Sequence, residues 1–193
     1  QGKITNTAII LLGREESQHF LSPVVCKIRW CLKQEGMDMN KDFQSFTIPM
    51  ILAIEKFANK VHNTQYTYTI QGSLFPESMY RYDVFTIREP LNNAIAHQDY
   101  SKQRIIDITE YEDNKLMFRN AGQFIPKSID DVVKNDFPES LYRNPFLVEA
   151  MRNIKMVDNE GGGIRKLFLQ QKKRFFPMPH YDTSNNEVLC EIE

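Results

Sequence analysis

Glu89, Asn93 and His97 stand four residues apart in the stretch REPLNNAIAHQDYS. On a helix that spacing lines up a carboxylate, an amide and an imidazole along one face. One reading is a magnesium-nucleotide site. A hard cation that keeps most of its waters needs few protein oxygens, and the Asn93 carbonyl supplies one. Glu89, one turn away, is placed to activate water. The other reading is the polar edge of an amphipathic helix, which by spacing alone is the commoner origin of such a pattern.

Three further groupings carry chemistry. Gly161, Gly162 and Gly163 precede a helical run. Glycines let the backbone approach a phosphate, and the helix start adds free N–H groups; a plain helix-joining turn is the alternative. The triplet does not match the GxxxxGK[ST] pattern, so a P-loop is not indicated. Asn120-Ala121-Gly122 closes a strand-like run, where Asn120 and Gly122 could meet a base or sugar, or form an ordinary turn. Arg165, Lys166, Lys172, Lys173 and Arg174 make a basic helix that could meet phosphates of DNA or a nucleotide, or form a solvated face.

These residues need positioning elements. Residues 3–13 read as a short helix capped by Thr5 or Asn6, or as a buried strand. Residues 24–32 alternate as a half-buried strand, and 35–42 read as a polar turn. Residues 47–63 form the clearest helix, with Thr47 as cap and Pro49 in the first turn. Residues 66–72 have strand composition. Asp83 can cap a helix over 84–97 bent at Pro90, unless that helix starts near Arg88. Residues 104–112 and 115–120 flank Asp113-Asn114 as a hairpin. The stretch 121–146 is too long for an idle connection. Residues 146–157 and 160–176 read as helices, 187–192 as a closing strand, and Phe175-Phe176 as core. The order predicts an α+β, two-layer sandwich: a mixed sheet with helices on one face.

Composition sets bounds. The 193 residues are 41% hydrophobic and 25% charged, with net charge -1, so no global attraction to nucleic acid is expected. Three cysteines without a CxxC pair argue against a disulfide framework and against zinc, and point to a reducing, cytoplasmic setting. No apolar run nears the roughly 20 residues of a membrane span, and no signal peptide is seen. The start on Gln1-Gly2-Lys3 rather than Met leads us to expect a piece of a longer protein.

Together the motifs resemble the C-terminal half of regulators that pair an AlbA-like (Schlafen-type, divergent AAA) domain with a GHKL-like ATPase domain. These proteins are often labelled ATP-dependent DNA helicase-related. The family helix Arg-Glu-Ala-Leu-x-Asn-Ala-Leu-x-His-Arg-Asp-Tyr is matched from Arg88 to Tyr100, with Pro90 in place of the first Ala. A strand-end Asn-Pro-Gly is matched by Asn120-Ala121-Gly122, and an Arg-Asn-Pro by Arg143-Asn144-Pro145. A Glu-x-x-Gly-x-Gly-Ile is matched by Glu160-Gly161-Gly162-Gly163-Ile164, with the Glu closer to the glycines.

The resemblance implies a GHKL (Bergerat-like) domain over 46–193, with 1–45 the tail of an AlbA-like domain and its connecting strand. It implies ATP and Mg2+ as cofactors, with Glu89 as catalytic base and Asn93 as metal ligand. His97, Asn120, Gly122, Gly161, Gly162 and Gly163 would line the nucleotide, under a lid formed by the loop after Asn120. Where related ATPases carry Asp-x-Gly-x-Gly, this chain has Asn120-Ala121-Gly122-Gln123-Phe124, so the adenine-reading carboxylate and second glycine are missing. The expected function is a nucleotide-binding domain of a DNA-linked transcriptional regulator with weak or absent hydrolysis, with a second copy of the chain as a candidate partner in a homodimer. The alternative is a degenerate structural or dimerisation module.

Overall fold

The computed structural model describes residues 2–34, 36, 39–69, 72, 74–135, 141–157 and 162–193. Its centre is a six-stranded sheet of order β2-β1-β5-β6-β8-β7. The strands are β1 (Lys27–Lys33), β2 (Asn40–Thr47), β5 (Ile106–Tyr111), β6 (Lys115–Ala121), β7 (His180–Asp182) and β8 (Glu187–Ile192). β3 (Gln65–Tyr68) and β4 (Glu77–Tyr80) form a separate antiparallel hairpin. Within the large sheet β1 and β5 run parallel, and the other neighbours are antiparallel. A parallel pair needs a long crossover. Here it runs through α2 (Met50–Ala58), the small hairpin and α3 (Val84–His97).

The sheet is two-sided by its pleat. Ile28 and Trp30, Ile106 and Ile108, Leu116 and Phe118, and Cys190 and Ile192 point one way and are buried. They lie beneath α1 (Asn6–Leu12), α2, α3, α5 (Pro145–Asn153) and α6 (Gly163–Arg174). Phe57 of α2 meets Phe46 and Phe118 edge-on, at 6.4 and 6.0 Å between ring centres. The other face carries charge: Arg29 pairs with Asp107 at 2.6 Å, and Glu187 meets Arg119 at 3.8 Å and also Arg104. This is the expected mixed α+β sandwich with helices on one face. One polar tie enters the core. Glu110, nearly fully buried, accepts from Trp30 Nε1 at 2.9 Å and from the His62 backbone N–H at 2.8 Å.

The structure bears on several local expectations, upholding some and overturning others. The first run is helix α1, with Thr5 accepting from the Ala8 N–H. Thr47 does not cap α2, because it ends β2, paired with Lys27, and Pro49 takes the cap position. The polar turn at 35–42 gives way to β2 from Asn40, and β4 stands between the 66–72 run and Asp83. α3 starts at Val84 with Asp83 accepting from the Thr86 N–H at 2.7 Å, and it continues through Pro90. α4 (Ile129–Lys134) lies within the long stretch after Asn120. Phe175 is not core: it sits in a left-handed conformation at the end of α6, 96% exposed. The expected boundary between 45 and 46 falls inside β2 of the main sheet.

No helix among the described residues is long and apolar enough to cross a membrane.

Candidate functional site

α3 lies against β6, and its sheet-end face opens into a cavity of about 140 Å³. Glu89, Asn93 and His97 line it together with Asn120, Gly162 and Gly163. Three separated segments of sequence thus converge on one space. Ile125, Pro126, Leu141 and Tyr142, from the stretch after β6, form much of its apolar wall.

The polar side is ordered. Asn93 Nδ2 donates to Glu89 Oε1 at 2.9 Å. That bond commits the amide N–H to the carboxylate and leaves the carbonyl oxygen as the group offered to a cation or a ligand donor. The Glu89 carboxylate reaches the first residue of α6. A Cβ at Gly163 would lie 1.6 Å from Glu89 Oε1 and 2.3 Å from its carboxyl carbon, so only glycine admits this approach. A carboxylate at a helix start is also favoured by the partial positive charge there. Gly162, which precedes α6, holds φ at +72°, where a side chain would be strained.

His97 stacks on Tyr142 with ring centres 5.6 Å apart. Burial lowers its pKa to about 4, and the positive charge of Arg143 adds to the effect. At neutral pH it therefore offers an aromatic face and one N–H, not a cation. Asn120 is buried at the end of β6, with Nδ2 donating to the Ala121 carbonyl at 3.3 Å. Tyr181, which also lines the cavity, stacks on Phe168, and burial pushes its phenol far above the usual value.

Gly122 does not line the cavity. It holds φ at +122°, and a Cβ there would lie 2.9 Å from Arg143 Nε. It is a glycine because the Arg143 side chain crosses it. Arg143 also donates to the Gln123 carbonyl at 2.9 Å. Next to it, Asn144 Nδ2 donates to the carbonyls of Ala96 and Gln98, each at 2.9 Å, closing the end of α3. The Arg-Asn-Pro motif therefore fastens the returning chain to the helix that carries the site. Gly161 lies outside the described residues.

Sequence reasoning missed Gln123, Tyr142 and Tyr181 as lining residues. Only the unusual length of the stretch after Asn120 pointed towards the first two. The basic run on α6 is not one exposed stripe: Arg174 turns inward to Asp83 at 3.4 Å and to the Tyr80 and Arg81 carbonyls.

Among the described residues no cluster of three or more His, Cys, Asp or Glu could hold a metal by itself. A magnesium ion brought in with a nucleotide needs less, because phosphates and water fill most of its shell. The Asn93 carbonyl fits that role. The enclosed volume suits one ring system, being close to the roughly 150 Å³ that takes up benzene. The rest of a nucleotide would extend past it.

A family model described as "Putative ATP-dependent DNA helicase recG C-terminal" matches residues 104–192. The match spans β5 to β8, including Asn120 and the glycine triplet, and excludes α3. No curated protein matches. Among solved structures, the DIP2311 protein of Corynebacterium diphtheriae is similar, with a TM-score of 0.70 at 18% identity over 88% of this chain. At that identity the likeness is one of fold. The chain spans 34% of the length of that protein. In sequence, residues 104–192 resemble an ATPase-related family, on a fold shared with a solved bacterial protein.

Proposed function

We propose that the chain is a nucleotide-binding domain that takes ATP with Mg2+ in the cavity beside α3, with slow or no hydrolysis. The observation that carries this is the convergence of Glu89, Asn93, His97, Asn120, Gly162 and Gly163 on one apolar cavity. The base would enter between the Tyr142 and Tyr181 walls, with Asn120 reading its edge. The phosphates would extend towards Gly162 and Gly163 at the start of α6, where backbone N–H groups favour anions. Asn93 would hold the magnesium ion, which neutralises phosphate charge when bound. Glu89 would take a proton from water.

The electrostatics make the metal essential. Among the described lining residues Glu89 carries the only full charge, and it is negative. A bare triphosphate is repelled by it and meets no lysine or arginine in the lining. Slow turnover would follow from the same arrangement, since no lysine or arginine among the described lining residues stabilises charge developing on the phosphates.

We place the domain in a DNA-linked transcriptional regulator because of the ordered motifs it shares with AlbA/GHKL-type proteins. The test is thermal unfolding with millimolar ATP, ADP or GTP, each with Mg2+ or with EDTA. Stabilisation by ATP only with Mg2+ supports the reading. No stabilisation, beside a dimer on a sizing column, favours a structural module of the same fold. The missing Asp-x-Gly-x-Gly at the strand end is the observation that keeps that second reading.

A further inference from the structure

α3 has a cavity on each side. Glu89, Asn93 and His97 face the nucleotide cavity, whereas Val84, Ile87, Arg88 and Asn92 line a second space of about 750 Å³. The second cavity is walled by α2 (through Ile51 and Ile54), by Met79 of β4 and by Met156. Its volume lies within the roughly 300–1,000 Å³ of small-molecule sites.

Two features mark it as more than a packing gap. Asn92 is 1% exposed, with Nδ2 donating to the Met156 carbonyl at 2.5 Å. Its Oδ1 has no hydrogen-bond partner among the described residues. A buried carbonyl without a donor is uncommon in native structures and calls for an explanation. The second feature is charge. Arg88, half-buried one turn before Asn92, makes no ion pair or hydrogen bond among the described residues. The cationic Arg174 is paired with Asp83, which leaves Arg88 and the exposed Lys155 against Glu55 alone.

We propose that this second cavity binds a small organic anion with an apolar body. Its carboxylate or similar group meets Arg88, its body lies on Ile51, Ile54, Ile87 and Met79, and a rotation of the Asn92 side chain, whose Oδ1 is closed off in the empty cavity, brings that oxygen to an N–H or O–H donor. The proposal does not depend on nucleotide binding, because no residue lines both cavities.

Anilinonaphthalene sulfonate has these three parts: an aromatic body, one N–H and one anionic group. The test is fluorescence titration of the folded protein with this probe. The expected result is saturable one-to-one binding that saturating Mg-ATP leaves unchanged. Arg88→Gln should weaken it about tenfold, the scale of a charge-assisted hydrogen bond. Ala58→Trp, at the exposed end of α2, should fill the cavity and abolish binding without touching the core. Near-ultraviolet circular dichroism confirms that both variants are folded. Absent or non-saturable binding, binding unchanged in both variants, or displacement by Mg-ATP would overturn the proposal. The last outcome would place the probe in the nucleotide cavity.

Discussion

The glycine at 163 is explained by one atom of another residue. Glu89 Oε1 occupies the space a side chain would need, 1.6 Å from the position of a Cβ. Gly163→Ala should therefore cost about 1 kcal/mol by overpacking. The cost should vanish in a Glu89→Ala background, because the obstacle is gone. Urea unfolding of the four proteins in the cycle measures this. If Gly163→Ala costs the same with and without Glu89, the contact does not set the residue type. His97 gives a pH prediction. Its folded pKa of about 4 lies below the ordinary value of 6.5, so the folded state binds fewer protons than the unfolded state between those values. The contribution is complete above pH 6.5, declines as pH falls, and is lost below about 4. Its full size is at most about 3 kcal/mol. His97→Gln should lose less stability than the native protein between pH 7 and about 4.5, in unfolding curves run side by side. Equal losses would mean that His97 titrates normally. The residue types at 89, 93 and 97 were legible in the sequence, and so was their common face. The approach of Gly163 to Glu89 was not, because 74 positions of chain separate the two residues and only the packing of α3 against α6 brings them together.

At the scale of elements, α3 is held by its ends. Asp83 caps its start, and Asn144 binds the carbonyls of Ala96 and Gln98 at its finish. Gln98, 1% exposed, then ties the helix end to the sheet: Oε1 accepts from the Ala121 N–H at 2.8 Å, and Nε2 donates to the Arg104 carbonyl at 2.6 Å. Gln98→Ala leaves the buried Ala121 N–H unpaired and frees the more exposed Arg104 carbonyl, and should cost about 1–3 kcal/mol. Asn144→Ala, at a half-buried position, should cost about 1–2 kcal/mol. Chemical denaturation measures both, and a loss below 0.5 kcal/mol for Gln98→Ala, roughly the scatter of surface substitutions, would contradict this account. α2, α3, α5, α6 and the 106–121 hairpin were readable because apolar periodicity and turn residues are local signals, whereas the short α1 stayed open between helix and strand and the six-residue α4 was not seen. β2, β4 and β7 were not. They are short or mostly exposed, as the burial of β2 shows with Phe46 its one buried residue, so the alternation that marks a strand is missing.

At the scale of the whole molecule, the N-terminal strands complete the sheet that carries the site. β1 lies between β2 and β5 and contributes the fully buried Ile28 and Trp30. Removing residues 1–47 would strip that layer and expose the edge of β5. The truncated protein is expected to aggregate or to lack a cooperative thermal transition. A well-folded monomer would show that 48–193 is independent of the strands before it. The central claim concerns the cavity beside α3. Calorimetric titration with ATP, in Mg2+ and in EDTA, for the native protein and for Asn93→Ala, tests it most directly. The account predicts micromolar binding that requires Mg2+ and weakens at least about tenfold when the Asn93 carbonyl is removed, as expected for the loss of a charge-assisted contact. No heat at millimolar nucleotide, or binding indifferent to both Mg2+ and Asn93, would contradict it.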